Sequence, residues 1–342
     1  MDKVFNLGIP HVGELIFESI DTPELIQCAL VSETWKILAE NVLIKRWKGR
    51  MFEACQSGNV QIVKLLLEFY DAEENVLNAK FDDGCTAYMI ACKNGHKNVV
   101  KLLLNQSYHN IEMNARDIHG HTAFLMACKY GHKDVVKLLL NNSDPNIELN
   151  RKDNFENNAL HIASKYGHLD VVKIILEHSD KIHLNARNMR NGKTAFIHAC
   201  TFGHKDVVEL FLSYPNIELN VRSTNGTTAF MSACNNGHKD VVKLLLNHSG
   251  NNIDLDAKRN NEMTAFMMAL SRGHKDVIQL ILNHGQKTFN RLIGACIVLA
   301  LIAVILQMYG LINYCDVAFI VIIAVIIRSN HLINYCLYLY RK

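Results

Sequence analysis

A Gly-His pair returns at a nearly constant interval along this chain. Its copies begin at Gly95, Gly131, Gly167, Gly203, Gly237 and Gly273, and Gly58-Asn59 takes the place of an earlier copy. Successive glycines are separated by 37, 36, 36, 36, 34 and 36 residues. A period of roughly 20–50 residues is typical of solenoids, in which each unit buries its apolar face only against its neighbours. The repeat therefore favours a surface that binds another molecule over an enclosed catalytic pocket.

Each unit has the pattern of two helices separated by a tight turn, as residues 117–152 illustrate. Thr122 is suited to cap a short helix over 123–130, and Gly131 can end that helix in the left-handed conformation. Asp134 stands in the first turn of a second helix, where the helix dipole favours a negative charge. The apolar stripe of that helix follows at Val135, Val136, Leu138, Leu139 and Leu140. The pattern predicts a helix–turn–helix unit followed by an extended segment.

These residues resemble the ankyrin repeat. The matching strings are Thr122-Ala123-Phe124, Ala127-Cys128 and the run from Gly131 to Leu140. The resemblance covers 50–287 as about seven copies, near 50–81, 82–116, 117–152, 153–187, 188–222, 223–258 and 259–287. Alanine replaces the family's usual proline at Ala87, Ala123, Ala159, Ala195, Ala229 and Ala265. The resemblance implies an all-α solenoid in which the Gly-His histidine holds the tight turn by hydrogen bonding.

The regularly placed histidines and cysteines are predicted to be structural. Neighbouring repeats stand about 10 Å apart, which is too far for histidines of successive units to share a metal ion. At one repeat position cysteine alternates with Ser164 and Leu270, as expected of a small buried site. The cysteines at that position are Cys55, Cys92, Cys128, Cys200 and Cys234. No CxxC pair is present, so we expect no metal, no cofactor and a reducing, cytosolic compartment for the repeats.

The sequence carries no signature of an enzyme or of a nucleic-acid-binding protein. It lacks a glycine-rich phosphate loop, an HExxH motif and a G-x-S-x-G motif. Its formal net charge of +3 is too small to indicate nucleic-acid binding. His161 and His198 stand on first helices near cysteines, and the repeat alignment predicts that both occupy variable surface positions. We therefore expect a monomeric protein-binding chain without catalytic activity.

The ankyrin resemblance implies that a target protein contacts the turn tips and the exposed side of the first helices. The tip residues are Asp82, Asp83, Asp117, His119, Asn154, Phe155, Arg190, Asn191, Asn225 and Asn261. The residues just before the turn glycines are Asn94, Tyr130, Tyr166, Phe202, Asn236 and Arg272. Aromatic side chains dominate binding hot spots, so we predict target binding by Tyr130, Tyr166 and Phe202. His119, Phe155 and Arg190 complete the predicted target-binding set. The alternative is that the three rings only fill space between repeats.

Residues 1–49 do not follow the repeat. They contain, in order, Pro10, Ile16-Phe17, Pro23-Glu24-Leu25-Ile26, Val31-Ser32, Trp35, Leu38-Ala39 and Trp47. Thr22-Pro23-Glu24 has the pattern of a helix start, and the apolar spacing predicts three short helices. The string resembles an F-box, from which it departs where His11-Val12-Gly13 separates Pro10 from Glu14. The alternative is an unrelated helical cap on the first repeat.

The F-box resemblance implies a link to ubiquitin ligases. Proteins of that family bind a Skp1-type adaptor and bring a target to a cullin–RING ubiquitin ligase. By this resemblance Pro10, Leu25, Val31 and Trp35 belong to the adaptor interface. The chain is similar to F-box/ankyrin proteins of large DNA viruses, a combination also familiar from intracellular bacteria. Its Asn-, Lys- and Ile-rich composition is compatible with a viral source.

Residues 288–342 are strongly apolar. Positions 292–311 are twenty residues without a charge, which is enough to cross a bilayer core of about 30 Å. Eleven more apolar residues follow at 317–327, and basic residues flank both ends while the connection between the two segments has none. The positive-inside tendency then predicts a transmembrane hairpin with both ends in the cytosol. The alternative is an apolar cap beneath the last repeat.

Together these features predict an all-α protein with three parts. A three-helix F-box-like module occupies 1–49, an ankyrin-repeat solenoid 50–287, and a C-terminal transmembrane hairpin 288–342. We expect a substrate receptor that links a target to a Skp1–cullin-type ubiquitin ligase. It would be tethered to a membrane with its repeats facing the cytosol. The alternative is a membrane-anchored ankyrin scaffold that binds or masks a host protein without a link to ubiquitin.

Overall fold

Short helices in pairs make up the described part of the chain. The computed structural model describes residues 33–69, 77–105, 111–141, 151–178, 183–248 and 253–285, with side chains from residue 45 onward. Within these ranges the regular structure is helical and contains no strand. The helices are α1 Glu33–Ser57, α2 Val60–Phe69, α3 Ala87–Lys93, α4 Lys97–Leu104, α5 Ala123–Tyr130, α6 Lys133–Leu140, α7 Ala159–Tyr166, α8 Leu169–Glu177, α9 Ala195–Phe202, α10 Lys205–Leu212, α11 Ala229–Asn235, α12 Lys239–Asn247 and α13 Ala265–Ser271. A last helical stretch, α14, covers 275–285.

The helices form a two-layer stack. The odd-numbered first helices pack against the first helices of neighbouring repeats, and the second helices α2 to α12 pack against one another in the same order. Each first helix also packs against the second helix of its own repeat. The described residues thus contain seven helix pairs that share one continuous apolar core, which confirms the predicted all-α solenoid.

Local sequence signals set the ends of the first helices. In α5 the Thr122 side chain accepts a hydrogen bond from the Leu125 N–H, so it satisfies one of the free donors at the helix start. Gly131 then adopts the left-handed conformation, with φ 78°, and His132 leads into α6. The helix bounds predicted for this repeat are therefore confirmed. An equivalent side-chain cap begins five other first helices, at Thr86, Asn158, Thr194, Thr228 and Thr264.

The Gly-His histidine has a role that differs from the predicted one. The Nε2–H of His204 donates to the backbone oxygen of Lys165, which lies at the end of the first helix of the preceding repeat, over 2.9 Å. Helix ends leave their last carbonyl groups without partners inside the helix, so this bond satisfies one of them. The same bond joins His96 to Gln56, His132 to Lys93, His168 to Lys129, His238 to Thr201 and His274 to Asn235. The histidine therefore ties one repeat to the next through its side chain, whereas we predicted a hydrogen bond that holds the tight turn.

The recurring cysteines lie in the core, as predicted. Cys55, Cys92, Cys128, Cys200 and Cys234 are all buried free thiols. Burial raises the pKa of the Cys55 thiol to about 12, which keeps the thiol protonated and unreactive. Leu270, at the equivalent position of the last repeat, is 39% exposed because among the described residues α13 has a neighbouring first helix on one side only. The prediction of a small buried site therefore fails at this one copy.

The segment before the repeats is joined to them without a break. Helix α1 runs from Glu33 through residue 49 to Ser57, so the predicted domain boundary lies inside one helix. Pro10, Leu25 and Val31 lie outside the described residues, and Trp35 lies in the part of α1 whose side chains are not described. The predicted hairpin at 288–342 also lies outside the described ranges. Within those ranges no helix is long and apolar enough to cross a bilayer.

Candidate protein-binding surface

The three predicted aromatic residues alternate with lysines along the first helices. Lys129 Nζ lies 5.7 Å from the ring centroid of Tyr130 and 5.9 Å from that of Tyr166 in the next repeat. Lys165 Nζ is placed in the same way between Tyr166 and Phe202, at 5.5 and 5.7 Å. Lys93 Nζ begins the row at 5.8 Å from Tyr130. We call this set the lysine–aromatic ladder: Lys93, Tyr130, Lys129, Tyr166, Lys165 and Phe202.

The ladder is accessible to a partner. Tyr130, Tyr166 and Phe202 are 44%, 42% and 45% exposed, so each ring keeps much of its surface in solvent. Each lysine stem is half-buried between the rings, where its ammonium gains a cation–π contact. The rings thus contribute both to contacts between repeats and to an open surface.

Positive charge on the first helices is not balanced by carboxylates. Within the described helices α3, α5, α7, α9, α11 and α13 the only Asp, Glu, Lys or Arg side chains are Lys93, Lys129 and Lys165. Three acidic side chains at the turn tips, Asp83, Asp117 and Asp153, are engaged in the turns themselves. Asp153, for example, is 4% exposed and accepts hydrogen bonds from the N–H groups of Phe155 and Asn157. The face of the first helices therefore presents three lysines to a partner.

The second helices carry lysines as well, and three of them meet an aspartate of the next repeat. Lys133 Nζ lies 2.8 Å from Asp170, and Lys239 Nζ lies 3.0 Å from Asp276. Lys97 Nζ lies 4.0 Å from Asp134. These side chains are more than half exposed. On the face of the second helices, which we call the outer face, these three lysines therefore have a carboxylate partner within the chain.

The predicted tip residues form a second, separate set. The Arg190 guanidinium lies 4.8 Å from the ring centroid of Phe155, which is 48% exposed. His119 is exposed, and its ring centroid lies 5.7 Å from that of the buried His121. Phe155 precedes α7 whereas Tyr166 ends it, and eight helical residues span about 12 Å. The structure therefore brings Phe155 and Arg190 together, and it places the tip set about one helix length from the ladder.

Two histidines that we predicted to be on the surface are buried. His161 is 2% exposed and His198 is 7% exposed, and their ring centroids lie 5.9 Å apart between neighbouring first helices. The Nε2–H of His161 donates to the Lys193 backbone oxygen and its Nδ1 lies 2.5 Å from Asn158 Oδ1, whereas neither ring nitrogen of His198 has a hydrogen-bond partner. Neighbouring first helices cover these positions, which alignment of single repeats does not reveal. The prediction of surface positions is therefore wrong.

Burial is the main cause of the lowered pKa of both imidazoles. Burial lowers the pKa of His161 to about 4. Burial, together with the charges of His161, Lys193 and Lys165, lowers the pKa of His198 to about 3. The pKa of the Lys193 ammonium is also lowered, first by burial and then by the charge of Lys165. Lys165 therefore belongs both to the ladder and to a second group of cationic side chains at the junction of α7 and α9.

Sequence reasoning missed the lysines of this surface. Lys129 and Lys165 directly precede Tyr130 and Tyr166, so a Lys-Tyr pair before the turn glycine was the available signal. Lys193 lies just before the cap residue of α9 and gave no comparable signal. The described residues hold no cluster of three or more metal-binding side chains. The arrangement is thus suited to contact with another polypeptide through rings and ammonium groups.

Comparison with known proteins gives the same division of the chain. Residues 51–153, 145–223 and 216–291 match the family profile for ankyrin repeats, and residues 10–47 match that for the F-box domain. The crystal structure of the ankyrin repeat domain of Bcl-3, a unique member of the IkappaB protein family, is 24% identical with a TM-score of 0.56. The similarity covers 68% of this chain and 97% of that one, and at this identity it supports the fold alone. No curated protein matches the chain.

Stacked helix pairs with an exposed row of rings and lysines define a solenoid with an interaction surface. The three ankyrin matches together span well over half of the sequence. The chain therefore belongs to the ankyrin-repeat proteins, and an F-box domain is found ahead of its repeats. Both are non-enzymatic interaction modules, of which the repeats mediate protein–protein contacts and the F-box suggests a link to a ubiquitin ligase.

Proposed function

We propose that this protein is a substrate receptor of a Skp1–cullin-type ubiquitin ligase and is tethered to a membrane. The F-box match at residues 10–47, directly ahead of a target-binding stack, carries the proposal. Helix α1 supports it, because it runs from residue 33 of the matched segment to Ser57 in the first repeat. An unbroken helix transmits position and orientation better than a flexible linker, which a ligase needs to present a bound target.

The target would bind the ladder and the turn tips. Tyr130, Tyr166 and Phe202 supply exposed rings of the residue types that dominate binding hot spots. Phe155 and Arg190 add a paired ring and guanidinium about one helix length away, and His119 lies on a neighbouring tip. We propose that the ladder anchors the target and that the tips contact its periphery. If the rings only fill space between repeats, replacing the exposed Phe202 by alanine should cost about as much stability as replacing the buried Phe196.

Adaptor binding is the decisive experiment. The purified full chain should form a complex with a Skp1-type adaptor in a pulldown with both proteins purified. Changing Val31 and Trp35 together to glutamate should abolish the complex, because charged groups cannot be buried at an apolar interface without a partner. Leu65→Glu is the control, since Leu65 is 51% exposed on α2 and its change adds a negative charge at an exposed position away from the F-box.

Two outcomes would contradict the ligase function. If the intact protein shows no affinity for the adaptor, the ubiquitin link is removed and a membrane-anchored ankyrin scaffold becomes the better description. If the Val31 and Trp35 double variant binds as well as the Leu65→Glu control, the adaptor contact lies elsewhere. A melting temperature of the repeats unchanged in both variants would exclude general unfolding as the cause.

The membrane tether is proposed for residues 288–342 on the strength of twenty uncharged residues at 292–311. The protein would then lie at a membrane with its repeats facing the cytosol. For a protein of viral origin this would be a membrane of the host cell. Alkaline carbonate extraction of membranes that carry the full chain should leave it in the pellet. Val304→Arg should release it, since arginine at a span centre costs about 2.5–3.5 kcal/mol on insertion. Complete release of the unchanged protein would instead favour the apolar cap beneath the last repeat.

A further inference from the structure

We propose that the lysine–aromatic ladder binds an acidic segment of the partner chain in an extended, polyproline-II-like conformation with an acidic residue at every third position. The inference rests on the target-binding part of the proposed function and names the chemistry of the target. Its premises are the charge of the first-helix face, the buried group at the junction of α7 and α9, and the spacing of the lysines.

The charge of the face selects an acidic partner. Lys93, Lys129 and Lys165 are the only Asp, Glu, Lys or Arg side chains on the described first helices from α3 to α13. On the outer face of the same repeats, Lys97 and Lys133 already have aspartate partners. Complementary charge directs both the association rate and the choice of partner. A segment with several carboxylates would supply the charges that this face lacks.

The junction of α7 and α9 provides a second, independent observation. Both ring nitrogens of His198 are buried and lack a hydrogen-bond partner, and such groups in a folded protein require an explanation. The charges of Lys165 and Lys193 act on this ring and on each other, as the lowered pKa values of His198 and Lys193 indicate. A carboxylate bound beside Lys165 would offset this repulsion. The junction thus holds two ammonium groups, those of Lys165 and Lys193, and a buried ring without a hydrogen-bond partner.

The spacing of the ladder selects the conformation. Packed helices lie about 8–10 Å apart, so neighbouring lysines of the ladder are separated by about this distance. A polyproline-II segment has three residues per turn and rises about 9 Å per turn, which returns every third side chain to the same face. In a β-strand the third residue points to the opposite face. Acidic side chains at every third position would therefore meet Lys93, Lys129 and Lys165 in turn, with apolar side chains over the rings between them.

The probe for this inference is a fluorescein-labelled peptide of repeated Glu-Pro-Leu triplets, titrated with the full chain by fluorescence anisotropy at low salt. Two comparison peptides have the same length: one replaces glutamate by glutamine, and the other has the same composition with its glutamates adjacent. We expect the regular acidic peptide to bind at least about tenfold more tightly than either, and to weaken as salt screens the charges.

Matched variants locate the binding. Lys129→Glu combined with Lys165→Glu should weaken binding at least about tenfold. Lys137→Glu combined with Lys173→Glu changes the net charge equally in the same repeats but on exposed positions of α6 and α8, and should leave affinity within about twofold. Lys193→Gln should weaken binding about three- to fivefold, because it removes one ammonium group from the junction. If the charge-reversed ladder variant loses its fold, the milder Lys129→Gln and Lys165→Gln pair replaces it.

Three results would overturn the inference. They are equal affinity for the clustered peptide, equal loss in the outer-face variant, and tighter binding of a single-stranded oligonucleotide that competes with the peptide at the ladder. Adaptor binding by the same preparation separates this test from that of the ligase function. Peptide failure with intact adaptor binding sinks only the acidic-segment inference, and adaptor failure with intact peptide binding sinks only the ubiquitin link.

Discussion

Lysines bridge neighbouring repeats on both faces of this stack, but their partners differ. On the outer face Lys133 and Lys239 reach aspartates of the next repeat, Asp170 and Asp276, at 2.8 and 3.0 Å. On the face of the first helices, which we call the inner face, Lys129 reaches the ring of Tyr166, at 5.9 Å from its centroid. The described first helices from α3 to α13 offer it no carboxylate. Lysines that recur at the repeat interval therefore meet a carboxylate on one face and an aromatic ring, without a carboxylate, on the other.

This difference bears on the proposed target-binding role of the first-helix face. An exposed ion pair within the chain neutralises both charges and leaves little for a partner to gain. A cation held against an aromatic ring keeps its full charge, and the ring remains half exposed. At these outer ion pairs the chain supplies both charges, whereas the face of the first helices keeps positive charge and apolar surface available.

The largest effect should separate two phenylalanines of the same helix, α9. Phe196 is 1% exposed, so Phe196→Ala should cost about 3–5 kcal/mol of unfolding free energy through the cavity it leaves. Phe202 is 45% exposed, and Phe202→Ala should cost less than about 1.5 kcal/mol, because less apolar surface leaves water. Urea denaturation of the two variants checks this. Similar costs would favour the packing alternative for the ladder rings.

A smaller effect should distinguish two turn glycines that share one backbone conformation. Gly167 and Gly273 have φ of 76° and 73°, but an alanine methyl at Gly167 would collide with the ring of His204, whereas Gly273 has nothing within 4 Å. Gly273→Ala should cost about 1–2 kcal/mol for the left-handed backbone. Gly167→Ala should cost about 1 kcal/mol more, because the ring must also give up its hydrogen bond to Lys165. Thermal or urea unfolding measures both, and equal losses would show that the histidine contact between repeats contributes little.

Acid should destabilise the inner face through its two buried imidazoles. The pKa values of His161 and His198 are lowered to about 4 and about 3, below the ordinary value of 6.5. Between about pH 6.5 and these lowered pKa values the unfolded chain binds protons that the folded chain does not. The contribution of the neutral imidazoles to the stability of the folded state is therefore full above about pH 6.5 and is lost as the pH falls toward 4 and 3. At pH 5.5 each ring should reduce stability by about 1 kcal/mol relative to pH 7.5.

Replacement of one ring tests the source of this acid sensitivity. In His198→Leu the loss of stability between pH 7.5 and 5.5 should be smaller than in the wild-type protein, by about half of what the two rings contribute together. Urea denaturation at the two pH values measures this loss. His248→Leu is a suitable comparison, because His248 caps the end of α12 and its imidazole, unlike that of His198, is not buried. An identical pH dependence in wild-type protein and His198→Leu would contradict the assignment.

The smallest effect should come from the outer ion pairs. Lys133→Ala and Lys239→Ala remove contacts between side chains that are more than half exposed. Solvent screens such pairs, so the melting temperature should stay within experimental error of the wild-type value. Lys129→Ala should also leave the melting temperature nearly unchanged and should reduce affinity for the acidic peptide. A clear thermal loss in the outer variants would mean that the outer face stabilises the stack more than its geometry indicates.

Sequence patterns predicted the parts of this structure that depend on neighbours along the chain. The bounds of α5 and α6, the cap at Thr122 and the left-handed Gly131 followed from residue types within one repeat. The exposure of Tyr130, Tyr166 and Phe202 also agrees with the expected accessible side of the first helices. Burial of His161 and His198 was not predicted, because each ring is covered by the helix of an adjacent repeat.

The sequence by itself determined the period, the helix–turn–helix unit and the membership of the ankyrin-repeat proteins. Only the tertiary structure decided what each side chain meets across the repeat boundary: His204 the carbonyl of Lys165, Lys129 the ring of Tyr166, and Lys133 the carboxylate of Asp170. The physical reason is that these contacts join residues about one repeat apart. Their partners depend on the register in which the helices stack, whereas helix starts and turns depend on residues within three or four positions.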